Sequence, residues 1–129
     1  MPLRLLLSVI VAILAACAPT ASPDFPANPS VITTEQIASS AAANAYDLIH
    51  SKRPIWLRSR GQNTFDPSQS TSANTYAAVF VDGQRYGDIS SLRSMTVHQI
   101  RLIRFLSGSD ATTRYGTGYP AGVIEVMTR

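Results

Sequence analysis

Between Tyr76 and Arg129 the chain carries three strand-length apolar runs, AAVFV (77–81), IRLIRFL (100–106) and GVIEVM (122–127), and most joints hold a glycine or an acid–glycine pair. Each run is rich in β-branched or aromatic residues, so each reads as a strand rather than a helix fragment. The order is strand, tight turn, short helix, strand, short helix, strand. Such a pattern specifies a compact α+β module. At 129 residues, 45% hydrophobic and 15% charged, the chain suits one small domain and has no room for a large barrel or a second core.

The joints have physical reasons. Asp82-Gly83 after the first run is a turn signal, because glycine accepts positive φ without steric cost. Asp88 can cap a short helix carrying Ile89 and Leu92, and Thr96 with Gln99 has the capping-box form just before Ile100. Asp110 is placed to cap the turn that ends at Tyr115, with Gly116 as its left-handed terminator.

Upstream, the folded part opens at Val31. Thr33 and Gln36 form a second capping-box pair, and Ile37, Ala41, Ala45 and Leu48 recur at helical spacing, which predicts one longer helix. Lys52-Arg53-Pro54 ends it, and Ile55 to Ser59 reads as a short strand. Arg60 to Thr75, polar and carrying Gly61 and Pro67, reads as a disordered loop. The expected architecture is therefore a mixed sheet of about four short strands, one longer N-terminal helix and short connecting helices.

The first residues are an address rather than structure. Arg4 supplies a positive start, Leu5 to Leu14 an apolar core, and Ala15-Ala16 the small residues before Cys17. That core is too short to span a bilayer, which needs roughly 20 apolar residues. LAAC resembles the bacterial lipobox, whose cysteine receives a diacylglycerol and becomes the mature N-terminus. It is the only cysteine in the chain, which also excludes an internal disulfide. Ala18 after it, in place of aspartate, implies the outer membrane. Residues 1–16 then form the lipoprotein signal, 17–30 a lipidated cysteine and tether, and 31–129 the domain. The tether, APTASPDFPANPS, holds four prolines and can hold the domain up to roughly 40 Å from the lipid if extended.

The order VFVDG, HQIRLIRFLSG, SDATTRYGTGYPAGVIEVMTR resembles the plug domain of TonB-dependent outer-membrane receptors. The matching positions are Val81, Asp82 and Gly83; Ile100, Ile103 and Gly108; Ala111, Tyr115 and Gly116; and Gly122, Val123, Ile124, Val126, Thr128 and Arg129. VITTEQI followed by NAYDLI resembles the helix that begins a plug. Nothing before Val31 resembles a TonB box, and the sequence ends where a receptor runs on into its barrel. The resemblance therefore implies a free-standing, lipid-anchored plug-like domain rather than a transporter, facing the periplasm, with an outer-membrane protein or receptor barrel as the partner.

Catalytic patterns are sparse. His50 and His98 lie in no metal-ligand spacing such as HExxH, no G-x-S-x-G elbow exists, and Gly116, Gly118 and Gly122 miss the dinucleotide spacing. No enzyme activity, metal or cofactor is expected. Glu125, between Ile124 and Val126, reads as the solvent-facing member of its strand. A net charge of +3 with scattered arginines argues against nucleic acid. Lys52, Arg53, Arg58 and Arg60 cluster near one segment, and Arg101 and Arg104 flank Ile103 as a candidate contact face. They either meet lipid phosphates or acidic partner loops, or guard strand edges against aggregation. Trp56, Tyr115 and Tyr119 read as packing aromatics. Two functional classes follow: an interaction or structural module at the outer membrane, or a binder of a small ligand such as a siderophore or glycan fragment.

Overall fold

The computed structural model describes residues 28–60 and 75–129. The expected signal, Cys17, most of the expected tether and nearly all of the 60–75 loop lie outside the described residues. The elements are β1 (Val31–Ile32), α1 (Thr34–Ala38), α2 (Ala45–Lys52), β2 (Ala78–Val81), β3 (Gln84–Gly87), β4 (Ile100–Leu106), α3 (Gly108–Tyr115) and β5 (Val123–Thr128). Short 3-10 segments occupy Pro54–Leu57, Ile89–Ser94 and Val97–Gln99.

Among the described residues the strands form one five-stranded sheet in the order β1-β4-β5-β2-β3. The pair β2–β5 is parallel and the other three are antiparallel. The α+β expectation holds, with five strands instead of about four. The extra ones are the two-residue β1 and the polar β3, both at sheet edges where little apolar sequence is needed. Asp82 (φ 48°) and Gly83 (φ 85°) both sit at positive φ between β2 and β3, as a two-residue hairpin turn matched to strand twist requires.

Side-chain alternation divides the interior in two. Ile103, Phe105, Ile124, Val126 and Val79 face α1, α2 and Trp56, burying Ile37, Leu48 and Ile49. The opposite face carries Phe80 and Val123 against Ala111 of α3, with Leu106, Tyr115 and Tyr119 packed around them.

Three local expectations are corrected. The single N-terminal helix is two, because the hydroxyls of Ser39 and Ser40 turn back onto the carbonyls of Gln36 and Ile37, at 3.2 and 2.8 Å. Such bonding competes with helix continuation. Asn44 then restarts the helix by accepting the Asp47 N–H at 2.9 Å. The backbone around the break binds the 95–97 segment, Ala45 N–H to Met95 O and Val97 N–H to Ala43 O. Ile55 to Ser59 is not a strand: Pro54 opens a 3-10 turn in which only Trp56 is buried, stacked on Phe105 at 5.7 Å. α3 is capped by Ser107, not Asp110. The Ser107 Oγ accepts from the Asp110 N–H and donates to the Asp110 carboxylate at 2.7 Å, which leaves Asp110 inside the first turn.

Asp88 does cap the Ile89–Ser94 segment, accepting the Ser90 N–H at 3.0 Å. Thr96 precedes Val97–Gln99 without a side-chain cap bond. Gly116 ends α3 at φ 87° and ψ −175°, so φ is positive as expected while ψ lies outside the left-handed helical well.

Candidate functional site

Glu125 is the centre of the α3-side face. A strand covered on one side only would leave it in water, but α3 crosses back over β5, so the carboxylate is 1% exposed. The reading of Glu125 as solvent-facing is thereby overturned. Tyr115 donates its hydroxyl to Oε1 at 2.6 Å, and Arg114 approaches the same oxygen at 3.0 Å. Arg104 of β4, directly opposite Glu125 in the ladder, donates from Nε to Oε2 at 3.1 Å and also binds it through an Nη group.

Burial pushes the Glu125 pKa up, but the hydrogen bonds from Tyr115 and Arg104 and the charges of Arg104 and Arg114 outweigh it, so the carboxyl sits below its ordinary value. Burial and the bond to Glu125 raise the Tyr115 phenol. A buried carboxylate is tolerated only when so compensated. The arrangement thus ties α3 to β4 and β5. Neither Glu125 nor Arg114 was singled out for this from the sequence; the available signal was an acid in the middle of a branched apolar run.

The remaining motif residues have structural assignments. Tyr115 stacks on Phe80 at 4.1 Å and Tyr119 meets it edge-on at 5.4 Å. A Cβ at Gly108 would lie 2.6 Å from the Pro120 carbonyl oxygen, and one at Gly122, already at φ 91°, would lie 2.5 Å from the Leu106 oxygen and 2.7 Å from the Phe105 ring. Those two glycines permit close approach of backbone. Of the N-terminal cations, Arg53 bonds the carbonyls of Pro29 and Lys52, and Arg60 lies 4.3 Å over the Phe105 ring. His50 stacks on Tyr46, and His98 is an exposed residue of the Val97–Gln99 segment. Among the described residues no three His, Cys, Asp or Glu side chains converge as a metal site.

Arg101 and Arg104 do reach one face, for a reason their spacing alone does not give. Three residues apart on a regular strand, they would point to opposite sides. A register shift between Ile100 and Leu102 resets the alternation. Arg101 then reaches the Met127 sulfur at 3.8 Å, on the side where Arg104 meets Glu125. Half-buried Leu102 and Met127 lie opposite each other in the ladder between the two arginines, and Val31 faces Arg104 across β1. Here β4 and β5 present apolar surface rimmed by cations. The two arginines are not equivalent, since Arg104 is committed to Glu125 and Arg101 is exposed.

No model of a known protein family matches the chain, and no curated protein matches it.

Proposed function

We propose that the chain is a lipid-anchored interaction module of the outer membrane, a plug-like domain tethered through an acylated Cys17 and facing the periplasm, which binds another membrane protein without catalysing a reaction. The observation that carries this reading is the surface formed by Arg101, Leu102, Met127 and Val31. A patch of half-buried aliphatic side chains with an exposed arginine at its rim has the composition of a protein contact surface, where arginine and methionine are enriched. Its stiffness favours the same reading. Glu125 and its three partners fix the sheet beneath, so little order remains to be gained on docking.

The reading is tested by site-specific photo-crosslinking of the full chain in membranes. A crosslinker at Leu102 or Met127 is expected to capture one defined protein, and Arg101→Gln to diminish that capture. A crosslinker at Tyr86, 52% exposed at the far sheet edge, is expected to capture none. Equal capture from Tyr86, or none from Leu102 and Met127, would refute the assignment. Arg104 is unsuitable as the probe because its removal strands a buried carboxylate.

A further inference from the structure

On the helix side of the sheet, away from the arginine-rimmed patch, Tyr46 of α2, Leu57, Tyr76, Asp88, Ile89 and Arg93 line a groove of about 380 Å³. That volume lies within the range of roughly 300–1,000 Å³ usual for small-ligand clefts. The groove's polar groups each have a local contact. Arg93 lies 4.0 Å over the Tyr46 ring, which fixes the guanidinium against α2. Asp88 is held by the Ser90 N–H at 3.0 Å and the Ser90 hydroxyl at 2.5 Å, both on Oδ1. Leu57, Ile89 and Tyr46 extend the main core into the floor, while Tyr76 is 47% exposed at the rim.

We propose that this groove binds a neutral saccharide of one or two rings. It carries one cation and one anion that form no ion pair with each other, so its formal charge is zero. An anionic ligand would meet Asp88, a cationic one Arg93, and a purely apolar one would desolvate both without compensation. A sugar ring matches all three parts of the wall. Its hydroxyls accept from Arg93 and donate to Asp88, and its C–H faces lie on tyrosine and aliphatic surface. The groove and the α3-side patch share no residue, so either assignment can fail alone.

The test uses the full-length chain in a zwitterionic detergent with no sugar head group. Ligand-observed NMR titrations would compare glucose, N-acetylglucosamine and their β-1,4-linked dimers with alanyl-alanine, a zwitterion able to pair with the same two charges. At least one sugar is expected to bind saturably. Arg93→Ala and Tyr76→Ala should each weaken it by about tenfold, the effect of one charge-assisted contact or one stacking face. Tyr86→Ala, outside the groove, should leave it unchanged. Should Arg93→Ala prove unfolded by circular dichroism, the exposed Tyr76 variant carries the same decision. No saturable sugar binding, binding insensitive to the folded groove variants, or tighter binding of the dipeptide would each overturn the proposal.

Discussion

Asp82 and Thr128 are joined by two hydrogen bonds across 46 residues of sequence: the Thr128 N–H donates to Oδ1 at 3.0 Å and its hydroxyl to Oδ2 at 2.6 Å. The Asp82 N–H in turn reaches the Val126 carbonyl at 2.9 Å. The hairpin turn is thus a clamp on the far end of β5, so aspartate serves there for its carboxylate as well as for its tolerance of positive φ.

The Thr128 hydroxyl and then its N–H hold the Asp82 carboxyl below the usual aspartate value. A depressed folded pKa stabilises above the unfolded value, about 3.9, and that contribution is lost as pH falls through the folded value. Asp82→Asn keeps a residue suited to the turn and removes the charge. Its melting temperature is expected to lie below wild type at pH 7, with the gap narrowing at pH 3. A gap independent of pH would show that the carboxylate charge does not stabilise the fold.

The cluster at Glu125 predicts unequal arginines. Arg104→Ala strands a carboxylate that is almost wholly buried, a loss on the order of 3 kcal/mol. Arg114→Ala, at a side chain that is 48% exposed, should cost clearly less, because solvent screens its charge. The pH slope should also change. In wild type the depressed Glu125 pKa makes stability fall as pH drops below about 4.3. In Arg104→Ala the Arg104 hydrogen bond and charge are lost while burial, Tyr115 and Arg114 remain, so the folded pKa moves up and the loss of stability on acidification becomes smaller. Denaturant titrations between pH 3 and 6 compare the two slopes.

Replacing glycines separates strain from collision. Gly83→Ala meets no atom within 4 Å and should cost about 1–2 kcal/mol, the price of a left-handed conformation. Gly122→Ala combines positive φ with contact on the Leu106 backbone and the Phe105 ring, and should cost more than about 3 kcal/mol. Chemical denaturation of the two variants ranks them, and a Gly83 variant as unstable as the Gly122 variant would contradict the packing described.

The proposed anchor at Cys17 is tested separately. Acyl chains contribute about 0.8 kcal/mol per buried CH₂, so a mature lipoprotein would not leave the membrane. Cys17→Ser is expected to abolish metabolic labelling with an alkynyl fatty acid and to block cleavage of the signal. Persistent labelling of the variant would show that Cys17 is not the acylated residue.

The three apolar strands were legible because each is a short run rich in branched or aromatic residues; β2 and β5 bury residues on both faces, whereas β4 buries Ile100, Ile103 and Phe105 against the main core. β3 was not, because QRYG is an edge arm whose pairing is dictated by the turn before it and not by its own side chains. Ile55-Trp56-Leu57 misled for the opposite reason: the run is apolar, yet Pro54 sets a tight turn and one tryptophan does the burying. The helix break at Ser39-Ser40 was hidden by surrounding alanines. At the candidate site, the individual arginines were visible but their common face was not, since it depends on one register shift. Glu125 was misjudged because no local pattern announces that α3, ten residues earlier, will cover it.

In the order β1-β4-β5-β2-β3, the strand in the middle is the last of the five along the chain. During synthesis the outer pairs β2–β3 and β1–β4 emerge with no ladder between them. Both waiting edges, on β2 and on β4, have the same missing neighbour. The ladder can therefore be continuous only with Val123–Thr128 lying between them, where Glu125 meets its arginines; without that strand the sheet is two separate pairs.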